Sequence, residues 1–255
     1  MRGKFHLNIE GSELILHSNE TSYLARFLYW NDWKEFEYSA LFPSLIRMSH
    51  CFLDVGANFG YYSLLASAIN KECKIISFEP SNGPMHYLKL NINENRLSSQ
   101  ITPEKYAVSS SNKSLIFTES RNEKYSYIQY DLSSIGRIEP NSSNVDHYHV
   151  DCITLDEYCM TNNIRPDLLK IDVEGHEEQV FYGANKIIEQ NRPSIICEVL
   201  PSANNHFIET FMERNNYLCY DISSGKPKKI MRLNELNSKS DILLISANYL
   251  PEFLN

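Results

Sequence analysis

The chain has 255 residues, a length at which one α/β domain can bury a full hydrophobic core. Hydrophobic residues make up 42% of it and charged residues 22%, which is ordinary for a globular protein. The formal net charge of −8 argues against sequence-independent binding of nucleic acid, which needs a basic surface to neutralise phosphates.

The cysteines and the N-terminus predict a cytoplasmic protein. The six cysteines form no CxxC pair and lie mostly among apolar neighbours, as reduced buried thiols do: Cys51, Cys73, Cys152, Cys159, Cys197 and Cys219. The first residues lack the apolar segment of a signal peptide. No run approaches the roughly 20 apolar residues of a membrane-spanning helix. We therefore expect no membrane span, and the surface pattern leaves the oligomeric state open.

The first 49 residues are predicted to form a hairpin and a helical cap. Residues 4–17 alternate polar and apolar side chains around Gly11 and Ser12, which is typical of a short hairpin. Residues 20–48 place apolar side chains at helical spacing and are interrupted at Pro43, so one or two helices are expected. We expect this cap to form one compact unit with residues 50–255.

From residue 51 onwards, strands and helices alternate. Apolar runs at 51–55 and 74–78 predict strands, 61–70 and 84–95 read as helices, and a third strand leads into Tyr106. Residues 109–150 are rich in Ser, Asn and Tyr and predict short antiparallel strands or a flexible insertion. The alternation then resumes with strands at 168–171, 194–199, 217–222 and 241–246 and helices at 177–190 and 203–215. This order predicts an α/β fold, a mostly parallel sheet with helices on both faces.

The loop at 54–60 is the strongest candidate for a ligand site. Gly56 and Gly60 allow a tight turn and a close approach of the backbone to a ligand, and Asn58 lies between them. The helix that follows offers free N–H groups. Glu79 ends the second apolar run, where a carboxylate can accept hydrogen bonds from the two hydroxyls of a ribose. We predict that Asp54 and these four residues bind a nucleoside cofactor.

The spacing of this loop favours S-adenosylmethionine over a dinucleotide. A dinucleotide site uses GxGxxG, whereas this loop reads DxGxxxG and lacks the third glycine. Asp54 would repel a pyrophosphate but would attract the ammonium and sulfonium groups of S-adenosylmethionine. A nicotinamide-dependent oxidoreductase, or a tight turn without any ligand, is the alternative.

A second polar cluster follows the strand at 168–171. Asp172, Glu174, His176 and Glu177 should reach the same crevice as the loop at 54–60, because ligands of such sheets bind at the carboxyl ends of the strands. Carboxylates close to a histidine are typical of acid–base sites. In the alternative interpretation, Glu177 and Glu178 only stabilise the N-terminus of the next helix. Glu198 ends another strand.

Several segments together resemble the FkbM family of S-adenosylmethionine-dependent methyltransferases. The resemblance covers about residues 50–200 in one order and spacing, which is more specific than any single motif. The matching segments are 52–60, 78–80, 107–109, 154–157, 169–177, 183–184 and 192–198. The flanking residues 1–49 and 201–255 resemble the family only loosely.

The resemblance implies a class I methyltransferase domain over 50–255. This fold is Rossmann-like, with a seven-stranded sheet whose last strand is antiparallel and a cofactor at the ends of the first two strands. It adds Ala107 and Asp172 to the predicted cofactor-binding residues. It also implies O-methylation of a hydroxyl on a sugar, a glycan or a secondary metabolite, without selecting among these acceptors.

Three hypotheses for the chemistry follow from these residues. His176 is predicted as the base that takes the acceptor's proton, with Asp172 orienting it or binding the acceptor and Glu174 beside them. Alternatively, Asp172, Glu174 and Glu198 hold a Mg²⁺ ion that lowers the pKa of the acceptor hydroxyl. In the third hypothesis, the chain binds the cofactor without catalysis.

Aromatic side chains near the predicted entrance offer a further hypothesis about the acceptor. Flat aromatic faces suit sugar rings, but the same residues can equally pack in a core. The candidates are Tyr29, Trp30, Trp33, Tyr125, Tyr127 and Tyr130.

Overall fold

An N-terminal hairpin and a short helical segment precede the central sheet. In this computed structural model the described residues are 2–120, 127–132, 145–201, 203–236 and 239–254. Strands β1 (Gly3–Ile9) and β2 (Ser12–Ser18) pair antiparallel, and helices α1 (Tyr23–Trp30) and α2 (Phe42–Ile46) follow. Pro43 lies in the first turn of α2 instead of interrupting a helix, since the first turn needs no N–H from it.

The rest of the chain alternates strands and helices as predicted. In chain order the elements are β3 (Cys51–Val55), α3 (Tyr61–Ile69), β4 (Lys74–Phe78), α4 (Asn82–Glu94), β5 (Ile101–Glu104), β6 (Ala107–Val108), β7 (Leu115–Ser120), β8 (Val145–Val150), β9 (Cys152–Ile153), α5 (Leu155–Thr161), β10 (Leu168–Ile171), α6 (Glu177–Gly183), α7 (Asn185–Asn191), β11 (Ser194–Val199), α8 (Asn205–Asn215), β12 (Tyr217–Asp221), β13 (Lys228–Ile230) and β14 (Ser240–Ser246).

The central sheet has eight strands within the described residues, where seven were expected. Their order is β13-β12-β14-β11-β10-β3-β4-β5, with parallel pairing from β11 to β5 and antiparallel pairing for β14, β12 and β13. The additional strand is β13, which pairs with β12 at the edge of the sheet. The sequence carries no strand signal there, because Lys228 and Lys229 are exposed and only Ile230 is buried.

The parallel strands are in register at their carboxyl ends. Val55 of β3 pairs with Phe78 of β4 and with Ile171 of β10, which in turn pairs with Cys197 of β11. The next residue along each strand therefore lies at the same edge of the sheet. Those residues are Gly56, Glu79, Asp172 and Glu198.

Two hydrophobic clusters cover the two faces of the sheet. Successive strand residues point to opposite faces, so Phe52 belongs to one cluster and Leu53 to the other. The first cluster includes Leu16 of the hairpin and Leu64 of α3, so the N-terminal segment packs on the same face as α3. The second cluster packs α5 to α8 against the opposite face.

Two further predicted segments lie at 177–190 and 109–150. The helix expected at 177–190 is broken at Ala184 into α6 and α7. In the insertion, β7 and β8 form the expected antiparallel pair, while 121–126 and 133–144 lie outside the described residues. Among the described helices, none has both the length and the apolar character needed to cross a membrane.

Candidate functional site

The loop after β3 brings three strand ends together. The Gly56 and Ala57 N–H groups both donate to the carbonyl oxygen of Phe78, at 3.0 Å each. Gly56 has a φ of +81°, and a Cβ on it would lie 1.8 Å from the carbonyl oxygen of Asp172. Only glycine therefore allows this close approach of the β3 loop to the end of β10.

Glu79 at the end of β4 is the carboxylate most completely prepared for a ligand. Its Oε2 accepts from the N–H of Asn58 and its Oε1 from the N–H of Ser81, both at 2.8 Å. The side chain is buried, and this burial raises the pKa of Glu79 to about 7. Each carboxylate oxygen has two lone pairs, so both keep capacity for a hydroxyl donor.

A cavity of about 170 Å³, here called the cofactor cavity, opens beside Glu79. Asn58, Ala107 and Asp172 line it, as does Gly56, so five of the predicted cofactor-binding residues meet there, counting Glu79. The remaining wall is mainly apolar: Val55, Phe78, Pro80, Pro84, Tyr106, Val108, Phe117, Leu132 and Val173. An apolar slot with a carboxylate at one end suits an adenine ring and a ribose. These residues fit S-adenosylmethionine.

Asp54 and Gly60 lie beside the cofactor loop without reaching the surface of the cofactor cavity. The Asp54 side chain is fully buried, accepts from Ser63 Oγ at 2.6 Å and lies 3.6 Å from Lys170 Nζ. Gly60 precedes α3 and approaches the side chain of Leu88. Neither residue lines the cofactor cavity. A direct contact of Asp54 with the cofactor remains a prediction, and its burial argues against it.

Lys170 is a buried cation that the sequence analysis missed. Its Nζ donates to Asp172 Oδ2 at 3.1 Å and to the Gly56 carbonyl oxygen at 3.3 Å. Burial alone would lower the pKa of Lys170, but the carboxylates of Asp172 and Asp54 outweigh burial and raise it. Burial also raises the pKa of Asp54, an effect that Lys170 partly offsets. The charged Lys170 thus orients the Asp172 carboxylate. In the sequence, Lys170 stands out as the single charged residue of the apolar strand at 168–171.

A second cavity of about 530 Å³ adjoins the cofactor cavity. It extends from the strand ends towards the N-terminal segment and is lined there by Thr21, Leu24 and Glu37. Some residues line both cavities and therefore mark where the two meet: Gly56, Asn58, Leu132, Asp172 and Glu174.

The three carboxylates considered as metal ligands converge at this junction. Asp172, Glu174 and Glu198 each offer an oxygen, and these oxygens lie within 4.8 Å of one another. Glu198 forms an ion pair with Lys239. Burial and the nearby Asp172 raise the pKa of Glu198 to about 7. The donor set suits a hard divalent ion, although Lys170 and Lys239 already provide positive charge here.

His176 faces the cofactor cavity and does not line the second one. Its Nε2 and Ser109 Oγ lie 2.9 Å apart, whereas the hydrogen-bond partner of Asp172 is Lys170. The predicted orientation of His176 by Asp172 is therefore not present in this arrangement. Burial lowers the pKa of His176. Glu177 accepts from the N–H groups of Val173 and Gly175, so it stabilises the loop.

Of the aromatic residues proposed as acceptor contacts, the five that the structure describes line neither cavity. Tyr29 and Trp30 are exposed and Trp33 is buried. Tyr127 donates to Glu20, and Tyr130 stacks on His86 with ring centroids 3.9 Å apart. Tyr125 is outside the described residues. The aromatic residues that do line the second cavity were missed because they read as core: Tyr23, Phe36, Phe59, Tyr61 and Tyr62.

This chain is similar to a known protein family over most of its length. The family described as Methyltransferase FkbM domain matches residues 54–219. This range is more than half of the chain and contains Glu79, Asp172, Glu174 and Glu198. Glu37 and Lys239, which line the second cavity, lie outside it. A comparison with curated proteins gives no match.

Solved structures show a likeness in fold. The crystal structure of methyltransferase FkbM from Methylobacillus flagellatus KT has a TM-score of 0.54 and 15% identity, covering 82% of this chain and 48% of that chain. This chain thus spans about half the length of that protein. A SAM-dependent methyltransferase from Agrobacterium tumefaciens has a TM-score of 0.47 and 10% identity, covering 96% of this chain and 71% of that chain. Precorrin-6y C5,15-methyltransferase from Geobacter metallireducens has a TM-score of 0.46 and 11% identity, covering 82% of this chain and 87% of that chain.

Proposed function

This chain belongs to the FkbM methyltransferase family, and we propose that it transfers the methyl group of S-adenosylmethionine to a hydroxyl oxygen of a sugar, glycan or secondary metabolite. Its class I methyltransferase fold, an α/β fold with a large mostly parallel sheet, is consistent with this activity. The observation that carries the proposal is the position of Glu79, a buried carboxylate at a strand end inside the cofactor cavity.

Glu79 binds the ribose of the cofactor in this proposal. Its two oxygens accept from the two ribose hydroxyls, and the apolar wall formed by Phe78, Pro80 and Val108 holds the adenine ring. Gly56, Asp172 and Glu174 would hold the methionine part, because the two carboxylates attract its ammonium and sulfonium groups. Since these residues also line the second cavity, the reactive methyl group would be accessible from there.

The second cavity holds the acceptor, and we refer to it as the acceptor cavity. The bound cofactor supplies an electrophilic methyl group, so the main task of the protein is to align the acceptor oxygen with it. Asp172 and Glu174 lie where the two cavities meet and therefore reach both reactants.

The acceptor hydroxyl has to lose a proton during the transfer, which a suitably placed base accelerates by about 10²–10⁴-fold. His176 is the proposed base, since its lowered pKa leaves it neutral at pH 7. Asp172 is proposed to bind the acceptor hydroxyl, because it lines the acceptor cavity whereas His176 lines only the cofactor cavity. In the metal alternative, Asp172, Glu174 and Glu198 would hold a Mg²⁺ ion, which would lower the pKa of the acceptor hydroxyl. Turnover that survives exhaustive chelation would dismiss that alternative.

Substitution of Glu79 tests the cofactor site directly. We expect Glu79→Gln to weaken S-adenosylmethionine binding by about 10- to 100-fold, because a hydrogen-bonded charge is worth about 1.5–3 kcal/mol. Isothermal titration calorimetry measures the affinity. Glu104→Gln is the matched control, since Glu104 ends the neighbouring strand β5 and does not line the cavity. Unchanged affinity in Glu79→Gln, or binding of NAD in place of S-adenosylmethionine, contradicts the proposal.

A further inference from the structure

The acceptor cavity carries an excess of negative charge. Among the described residues that line it, five are carboxylates: Glu20, Glu37, Asp172, Glu174 and Glu198. Three are cations: Arg26, Lys170 and Lys239. Two of these cations already pair inside the protein, Lys170 with Asp172 and Lys239 with Glu198. Arg26 is exposed.

Two carboxylate oxygens of the acceptor cavity lack a donor. Oε2 of Glu20 and Oε2 of Glu198 are buried and have no hydrogen-bond partner among the described residues. A buried acceptor atom without a donor costs about 1–3 kcal/mol. A ligand that brings N–H or O–H groups into the cavity removes that cost. The unpaired oxygens are a separate observation from the excess of carboxylates over cations. Both observations indicate a ligand that brings hydrogen-bond donors and positive charge.

Hydrogen bonds from the N-terminal segment and α3 hold the Glu37 carboxylate at the wall of the acceptor cavity. Tyr62 Oη donates to Glu37 Oε2 at 3.0 Å. Tyr62 also accepts from Ser39 Oγ, which lies 3.0 Å from the hydroxyl of Tyr61, and Tyr61 donates to the Trp33 carbonyl oxygen. Ser39, Tyr61 and Tyr62 are all buried. This chain of hydrogen bonds ends at the Glu37 carboxylate, which is the accessible member of the network.

We infer that the acceptor is a ring that carries an ammonium group beside its hydroxyl groups, and that Glu37 binds the ammonium group. The ammonium group neutralises part of the excess negative charge of the acceptor cavity, and its N–H groups donate to carboxylate oxygens that line the cavity. Phe36 and Tyr61 line the cavity near Glu37 and offer apolar contacts to the ring of the acceptor. Acceptors with a carboxylate or a phosphate are repelled. This inference rests on the proposed function, since it specifies the acceptor.

Three probes that share one ring test the inference without knowledge of the natural acceptor. They are the methyl glycosides of glucosamine, glucose and glucuronic acid, added separately to the full chain saturated with S-adenosylhomocysteine. Saturation-transfer NMR, at a pH where the glucosamine nitrogen is protonated, gives their relative affinities. We expect the ammonium probe to bind about tenfold more tightly than the neutral one, and the glucuronide not to bind.

Two single-residue variants test whether Glu37 causes the preference for the ammonium probe. Glu37→Gln should reduce the tenfold preference to about one while S-adenosylhomocysteine affinity stays unchanged, because only the carboxylate charge is lost. Glu35→Gln, an exposed carboxylate two residues away that does not line the cavity, should keep the preference. Thermal melting of both variants confirms that they fold.

Each contrary result overturns a different statement. Equal binding of the three glycosides, binding of the glucuronide, or no binding of any probe overturns the inference and leaves the proposed function standing. Failure to bind S-adenosylhomocysteine overturns the proposed function itself. Mn²⁺ alone is the fourth probe, and the relaxation rate of water protons measures whether it binds. If Mn²⁺ binds and the ammonium probe has no advantage, a metal ion neutralises the cavity and the inference is wrong.

Discussion

At the scale of single residues, Gly56 has the largest influence on the site. The backbone of the β3 loop touches the backbone of Asp172 only because no side chain separates them. That contact sets the spacing between the cofactor loop and the carboxylates at the end of β10. It also places the Gly56 carbonyl oxygen within reach of Lys170.

A comparison of two glycines separates backbone strain from this contact. Gly11 has a φ of +89° and open space where a Cβ would lie, whereas Gly56 has a similar φ of +81° and no such space. We expect Gly11→Ala to lower the free energy of unfolding by about 1–2 kcal/mol, which is the cost of the left-handed conformation. Gly56→Ala should cost at least about 2 kcal/mol more, because Asp172 has to move.

Urea denaturation of the two variants measures the difference. Similar losses of stability in both would show that the β3 loop can move away from β10 at little cost. In that case the contact between Gly56 and Asp172 would not determine the geometry of the site.

At the scale of elements, α4 holds the N-terminal hairpin through two asparagines one turn apart. Asn91 Oδ1 accepts from the N–H of His17 at 2.6 Å, and Asn95 Oδ1 accepts from the N–H of Ile15 at 2.8 Å. Asn95 Nδ2 donates in return to the Ile15 carbonyl oxygen at 2.7 Å. The side-chain amides thus continue the hydrogen bonding of β2 beyond its paired edge.

Removal of one of these amides should loosen the hairpin. We expect Asn95→Ala to lower the free energy of unfolding by about 1–3 kcal/mol, because a part-buried N–H and C=O of Ile15 lose their partners. Asn93→Ala is the control on the same helix, where the exposed amide accepts only from Ser98. Equal stability of the two variants in urea denaturation would mean that apolar packing alone holds the hairpin.

At the scale of the whole molecule, several buried carboxyl groups make stability depend on pH. The pKa values of Glu79 and Glu198 are raised to about 7 and that of Asp241 to about 8, in each case mainly by burial. The folded state therefore binds more protons than the unfolded state between the ordinary and the raised pKa values. Stability should then fall as pH rises through this window.

We expect the melting temperature of the ligand-free protein to fall between about pH 5 and pH 8, since these groups lose their protons in the folded state at an energetic cost. Asp241→Asn should flatten this dependence, because the amide does not ionise. Differential scanning calorimetry across the range measures both proteins. A melting temperature that rises with pH would show that the three carboxyl groups are already ionised at low pH.

The local sequence was sufficient for most of the alternation and for five of the residues that line the cavity beside Glu79. Runs such as 74–78 and 194–199 are short, apolar and followed by a turn, so their strands are predicted with the observed bounds. Glu79 and Asp172 follow such runs directly, and Glu198 is the last residue but one of β11. Because parallel strands end at one edge of a sheet, their proximity follows from the topology. β13 was not predictable, since an exposed edge strand needs no apolar residues.

The order of strands and helices, and with it the identity of the residues at the strand ends, could be read from the chain alone. The burial of Asp54 against Lys170 and the position of Glu37 beside Asp172 in the acceptor cavity became visible only in the folded molecule. The difference arises because strand formation depends on neighbouring side chains. The position of Glu37 depends instead on how the N-terminal segment packs against α3, through contacts between residues far apart in the chain.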